Sequence, residues 1–194
     1  MPTVSIPRKE QIETAATDLF KSRGYAATSM RHIASKVGIE AASIYSHLKS
    51  KEHILIKICF KMAKEFIEGI KLVQKTNVTS EAKFKAAVIS HVNIITGDIA
   101  ASAVFWNEWR HLSEPLLSEF VAMQREYEQA FKLIIEQGVN EGVFEVRDIS
   151  FTVMAMLSSL NGIQKWHNYT LPPEELNEAF ATFFAQGIRK QVEE

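Results

Sequence analysis

The sequence predicts an all-α fold of about nine helices, with three short helices at the N-terminus followed by a larger helical domain. Three observations carry this. Apolar residues recur at intervals of three and four: Ile12, Ala16, Leu19 and Phe20 in one stripe, Ile54, Ile58 and Met62 in another. Leu116, Phe120, Tyr127, Phe131 and Ile135 form a third, and such intervals share one face of a 3.6-residue helix. Alternation of β-branched residues is nearly absent, and turn residues fall between the stripes, at Gly24, Gly38, Thr76–Ser80, Gly97, Ser113–Pro115, Gly138–Gly142 and Leu171–Pro173.

The first helix is expected from about Arg8 to Arg23, stopping at Gly24. The second begins at Thr28 or Ser29, either of whose hydroxyls can cap it, and ends at Val37. Gly38 supplies the left-handed residue that a sharp turn requires, and a third helix follows over about Ala41–Leu48. Two short helices joined through such a turn describe a helix-turn-helix. A long helix of roughly 25 residues from Lys51, nearly 40 Å at 1.5 Å per residue, leads onward. The expected domains are therefore residues 1–50 and 51–194. Ser113 before Pro115, and Asp148 before an apolar run, mark later helix starts. The last two helices are expected over about Ile149–Trp166 and Pro173–Gln191.

Composition narrows the function. A 46% apolar and 23% charged chain of 194 residues can bury a core and is ordinary for a globular protein. No run of about 18 apolar residues is present, and the N-terminus turns charged before an apolar signal segment forms. One cysteine, Cys59, excludes an internal disulfide and fits a reducing, cytoplasmic setting. The net charge of −1 hides an asymmetry: residues 1–60 hold nine Lys and Arg against five Asp and Glu, and the remainder thirteen against eighteen. A basic head on an acidic body points to a polyanion as the head's partner.

With Ile44 taken as the inward direction of the third helix, Leu48 falls beside it. Ala42, Tyr45, Ser46 and Lys49 fall on the far face, with Ser43 on its flank. Small side chains let a helix enter a major groove, and hydroxyls and a phenol can bond to phosphates or base edges. A solvated surface helix has the same pattern. Ile33, Val37, Ile39, Ile44 and Leu48 can close a small core against Leu19 and Phe20.

At these residues the chain resembles a known family. The segments AATDLFKSRGYAATSMRHIASKVGI and SIYSHLKSKEHIL, between Arg8 and His53, are similar to the DNA-binding domain of TetR-family transcriptional regulators. The resemblance implies that Thr28, Tyr45, His47 and Lys51 hold phosphates of an operator in double-stranded DNA, while Ala41, Ala42, Ser43 and Ser46 face the bases. The chain departs from the common pattern at Glu40, Ala41, Ala42 and Leu48, so the operator sequence does not carry over.

In the larger domain, Phe105, Trp106 and Trp109 precede a helix with Met123 and Tyr127. Met154, Asn161 and Trp166 come later. Aromatic and methionine side chains with a few polar atoms make an apolar-ligand cavity, though aromatic stripes at helical spacing also describe plain core. The resemblance implies a small hydrophobic effector here. The Trp-x-x-Trp and Asn-Gly-x-x-x-Trp-x-x-Tyr arrangement looks like members that sense fatty-acyl or sterol-derived CoA thioesters. Phe180, Phe183, Phe184 and Ile188 exceed what a monomer's terminal helix should expose. In the family such helices pair as a homodimer, which implies a palindromic site. An all-helical enzyme or scaffold is the competing class. No His-Glu-x-x-His run, phosphate loop, nucleophile elbow or cysteine pair supports catalysis, and no metal or cofactor is expected.

Overall fold

The structure is a computed structural model that describes residues 7–166 and 171–191; Tyr169, the last residue of the arrangement noted above, lies outside them. Eight α-helices are formed by the described residues: α1 (Arg8–Arg23), α2 (Met30–Val37), α3 (Lys51–Gln74), α4 (Ser80–Gly97), α5 (Ile99–Glu108), α6 (Leu116–Asn140), α7 (Ile149–Asn161) and α8 (Pro173–Ile188). Single turns of 3-10 helix occupy Ser43–Ser46, Trp109–His111 and Gly162–Lys165. Among the described residues, no single helix is long and apolar enough to cross a membrane. The chain divides into two compact units. One holds the described residues up to Met62 together with Ala100–Phe120, the other Ala63–Ile99 and the described residues from Val121 on. The division expected after residue 50 thus falls inside the first unit.

The first unit buries Ile12, Ala16, Phe20, Ile33, Ile44 and Leu48, the apolar positions that the helical stripes mark. Leu19, Val37 and Ile39, expected beside them, are half-buried. Ser29 caps α2 by accepting from the His32 N–H, and His32 Nδ1 accepts from the Ser29 N–H in return, a capping box with imidazole where Glu or Gln is usual. Gly38 closes α2 at φ +73°, its N–H bonded to the carbonyls of Ala34 and Ser35. That left-handed conformation strains any residue with a Cβ. Ser50 then accepts from the His53 N–H at 3.2 Å and starts α3. The first turns of α3 bury Ile54, Leu55 and Cys59. Burial pushes the Cys59 thiol up to about 12, so it packs as a small apolar residue.

One expectation needs correction. The third helix, read over Ala41–Leu48, is a turn followed by four residues of 3-10 helix. In an α-helix the Ser43 carbonyl would accept from the His47 N–H. Here the Ser46 hydroxyl donates to it at 2.7 Å, and the His47 N–H goes to Ile44 instead, at 3.0 Å. A serine side chain has competed with the backbone and tightened the turn.

The second unit packs α4 against α8. Thr79 and Asp148 cap α4 and α7 by accepting from the N–H groups of Ala82 and Phe151. Its core includes Phe66, Phe84, Val88, Ile95, Phe131, Ile135, Phe144 and Leu160. Asn177 of α8 donates to the Asn93 side chain of α4 at 2.6 Å. After α6 the chain runs antiparallel to the end of α8, with Glu145 N–H to Ile188 O at 2.9 Å and Lys190 N–H to Val143 O at 3.0 Å. Phe144 in that run sets its ring edge-on to Phe84, centroids 5.6 Å apart, and directly over Gly138 of α6. A Cβ at Gly138 would collide with the Phe144 ring. The glycine is thus required by a close approach within a helix that otherwise disfavours it. Gly138→Ala is expected to lower unfolding free energy by about 1–3 kcal/mol, despite alanine's better helix propensity, because a rigid ring must move. Urea unfolding of the two proteins measures this, and equal or higher stability in the variant would contradict the packing described.

Candidate functional site

On the first unit, Ile44 and Leu48 are buried and the residues between and before them face out. Ala42, Ser43, Tyr45, Ser46, His47 and Lys49 are exposed, Tyr45 to 61%, and Ala41 is half-buried. The outward set is small, hydroxylated or basic. It has the composition that enters a groove and bonds to phosphates and base edges.

Two residues expected to hold phosphates through their side chains are placed otherwise. Thr28 is 1% exposed; its hydroxyl donates to the Gly24 carbonyl at 2.8 Å and approaches that of Leu19 at 3.4 Å. Lys51 turns inward. Its ammonium donates to the carbonyls of Tyr25 and Thr28 at 2.7 and 2.8 Å and sits 4.1 Å from the Tyr25 ring centroid. Burial lowers the Lys51 pKa, opposed by the Glu108 carboxylate. Burial also raises that of Tyr25, with Glu52 adding to it. The ammonium therefore ties the loop between α1 and α2 to the start of α3 through charge-assisted hydrogen bonds and a cation–π contact. The His111 ring lies tilted against Tyr25, centroids 5.2 Å apart, and 3.4 Å from Glu108, and Ser113 donates to Glu52 at 2.7 Å. The sequence offers only a weak sign of this arrangement, a tyrosine two residues past the end of α1 and a lysine opening α3.

The residues expected to line an effector cavity fall into separate groups. Phe105 is buried, and Trp106 and Trp109 are half-buried, in the first unit. There Phe120 meets Phe105 at 5.3 Å and Trp109 at 5.7 Å. In the second unit Met123 is half-buried, Trp166 stacks on Phe180 at 5.5 Å, and Met154 is 63% exposed. Met154 is corrected from lining to surface. It stands with Phe151, Ala155 and Ser158 on the outward face of α7, at spacings that share one side of the helix. On α8, Phe183 is 69% exposed and Phe184 half-buried. Phe180 and Ile188 are buried within the chain's own core and are not free for a partner.

Tyr127 and Asn161 are brought together by a residue that the sequence reading did not single out. His91 of α4 is wholly buried. Its Nδ1 lies 2.9 Å from the Tyr127 hydroxyl of α6 and its Nε2 3.0 Å from Oδ1 of Asn161, the last residue of α7. Phe66 of α3 covers both rings, at 4.8 Å from His91 and 5.3 Å from Tyr127. Burial holds the His91 pKa down to about 3, against the opposing effect of the Asn161 bond. Burial also raises Tyr127 well above its usual range. The imidazole is neutral, with the proton on Nε2 given to Asn161 and Nδ1 accepting from the tyrosine. No spacing in the sequence marks His91, since a histidine inside an apolar stripe looks the same whether bonded or not.

Two outcomes follow from this geometry. Lys51→Met is expected to lower the melting temperature while leaving the salt dependence of DNA binding unchanged, because the ammonium holds the loop. A phosphate contact would instead reduce the logarithmic salt slope by about one per site. The second concerns acid. With His91 at about 3 in the folded chain and near its ordinary value of about 6.5 when unfolded, the unfolded state takes the proton first as pH falls. Stability from this residue is complete above pH about 6.5. It is lost by up to about 1.4 kcal/mol per pH unit between there and about 3. Unfolding curves of wild type and His91→Gln across that window should converge as pH falls; parallel curves would count against a neutral His91.

Comparison with known proteins agrees with this arrangement. Residues 12–58 match the family description "Bacterial regulatory proteins, tetR family". Residues 77–188 match "Tetracyclin repressor-like, C-terminal domain". The HTH-type transcriptional repressor KstR2 of Rhodococcus jostii is 28% identical over 71% of this chain and 67% of its own. The fatty acid metabolism regulator protein of Bacillus subtilis is 26% identical over 70% of each. Among solved structures, AibR in complex with isovaleryl coenzyme A and operator DNA superposes with a TM-score of 0.76. It is 21% identical and covers 91% of this chain and 97% of its own. With the second match spanning more than half of the sequence and the first covering the helix-turn-helix, the chain belongs to the TetR family of transcriptional regulators.

Proposed function

We propose that the chain is a dimeric repressor that holds a palindromic operator in the cytoplasm and releases it when a small apolar effector, of the acyl-CoA kind, binds the second unit. The observation that carries the reading is the exposed row Ala42, Ser43, Tyr45, Ser46, His47 and Lys49 above buried Ile44 and Leu48. Small groups allow close approach to bases, Tyr45 and His47 reach phosphates, and Ala41 sits at the margin. Thr28 and Lys51 contribute by fixing the loop that carries the start of α2, whose positive dipole end favours phosphate. The relatives support repression and a metabolic effector: one is named a repressor, another a fatty acid metabolism regulator. AibR is solved with an acyl-CoA and operator DNA.

The dimer rests on the outward faces of α7 and α8. Phe151, Met154, Ala155 and Ser158 on one helix, and Ala179, Thr182 and Phe183 on the other, are all exposed. Large aromatic side chains left out of the core mark an interaction surface, and a second copy satisfies it by two-fold symmetry. Release requires only that the effector prefer the state in which the two heads no longer match groove spacing. α3 belongs to both compact units and is the element through which that preference would act.

Gel-shift titration against random palindromic duplexes tests the reading. Affinity should fall roughly a thousandfold or more between 50 and 200 mM salt if about six phosphates are neutralised. Isolated half-sites should bind far more weakly than the full palindrome. Tyr45→Ala should weaken binding at least about tenfold with unfolding free energy unchanged within about 0.5 kcal/mol, as expected of a surface residue. Loss of fold in that variant, or equal affinity for half-site and palindrome, would sink the proposal.

A further inference from the structure

We infer that His32 is a further DNA-contacting residue, a neutral imidazole whose Nε2–H donates to a backbone phosphate where α2 meets the operator. This rests on the proposed operator binding and names one contact within it.

The position of the proton follows from the cap. The Ser29 backbone nitrogen lies 3.2 Å from His32 Nδ1, and a backbone N–H can only donate. Nδ1 therefore offers a lone pair, and the proton of the neutral ring is on Nε2. Nε2 occupies the far edge of the ring, turned away from the backbone that Nδ1 meets. His32 is exposed, and its Nε2–H has no acceptor among the described residues. The capping box thus closes the start of α2 and, in the same bond, fixes one tautomer with a single donor directed outward.

The surroundings select an anion as the acceptor. α2 is the first helix of the helix-turn-helix, and in that motif the first helix crosses the DNA backbone while the second element enters the groove. His32 is the third residue of α2, in the turn that carries the positive end of the helix dipole. Arg31 beside it is exposed and has no carboxylate partner among the described residues. Lys36, one turn further along, is paired with Asp18 at 3.0 Å. The Thr28 hydroxyl and the Lys51 ammonium are bonded to loop carbonyls. His32 and Arg31 are therefore left to meet a phosphate at this turn.

The residue type matters. A glutamate, usual at this position, would complete the same box but set a negative charge against the duplex backbone. An imidazole places its acceptor and its donor on opposite edges of one rigid ring. It can cap the helix and bond to a phosphate at once, without a charge of its own.

The test uses the full chain and the tightest palindromic duplex from the random set, with backbone phosphates replaced one at a time, in both half-sites, by neutral methylphosphonates. For wild type, replacement of the contacted phosphate should weaken binding about tenfold or more, the loss expected of a hydrogen bond to a charged group. For His32→Ala the same replacement should change affinity by no more than about twofold, while replacements elsewhere weaken both proteins alike. The logarithmic salt slope should be the same in both, because a neutral donor releases no counterion; a slope smaller by about one per site in the variant would mean a cation and overturn the neutral assignment. His32→Glu guards against a loosened α2. It keeps the cap, should unfold at the same urea concentration as wild type or higher, and should show the same indifference to that phosphate. If every replacement affects wild type and both variants equally, His32 only caps and the inference fails. If wild type binds no duplex selectively, the operator reading itself fails and takes this contact with it.

Discussion

What the head can present to another molecule depends on two side chains that it hides. Ile44 and Leu48 lie in the core of the first unit, and their burial dictates that Ala42, Ser43, Tyr45, Ser46 and His47 point away from it. In so short a segment this constraint cannot come from helix geometry alone. The single turn is 3-10, closed by the Ser46 hydroxyl on the Ser43 carbonyl. The apolar anchors hold the orientation, and the left-handed Gly38 sets the angle at which the segment leaves α2. Replacing either anchor with a polar residue would release the whole outward face at once.

The same unit shows how polar and basic residues divide between structure and recognition. Lys51 and Thr28 stand where the family resemblance implies phosphate contacts, yet both side chains are bonded to backbone carbonyls of the loop after α1. They make the loop rigid, and rigidity is what lets the start of α2 and the exposed residues keep their relative positions. The side chains left free to meet a polyanion are those with no such partner inside the unit, Tyr45 and Lys49 among them.

In the second unit the organising constraint is the opposite kind, a polar group where water is excluded. His91 is neutral because charging it there is unfavourable, and both of its nitrogens are matched. A buried imidazole with both nitrogens matched fixes the registry of α4, α6 and α7 more sharply than interchangeable aliphatic contacts would. It also gives an otherwise apolar interior a directional chemistry.

Much was legible in the sequence, for reasons that can be named. Helical class followed from stripes such as Ile12–Phe20 and Leu116–Ile135, because amphipathic period is a local property. Gly38, a cap at Thr28 or Ser29, the Asp148 cap, and the inward Ile44 and Leu48 followed from chemistry within four residues; the structure selects Ser29. The order of the segments AATDLFKSRGYAATSMRHIASKVGI and SIYSHLKSKEHIL pointed to the family that the comparisons establish. Tertiary structure decided whatever depends on partners distant in sequence. It placed Lys51 on carbonyls 23 and 26 positions away, joined His91 to residues 36 and 70 positions away, and set Phe144 over Gly138. It buried Phe180 and Ile188 while leaving Phe183 and Met154 outside. Periodicity shows that a helix has an apolar side; which part of that side another helix covers is settled only by packing.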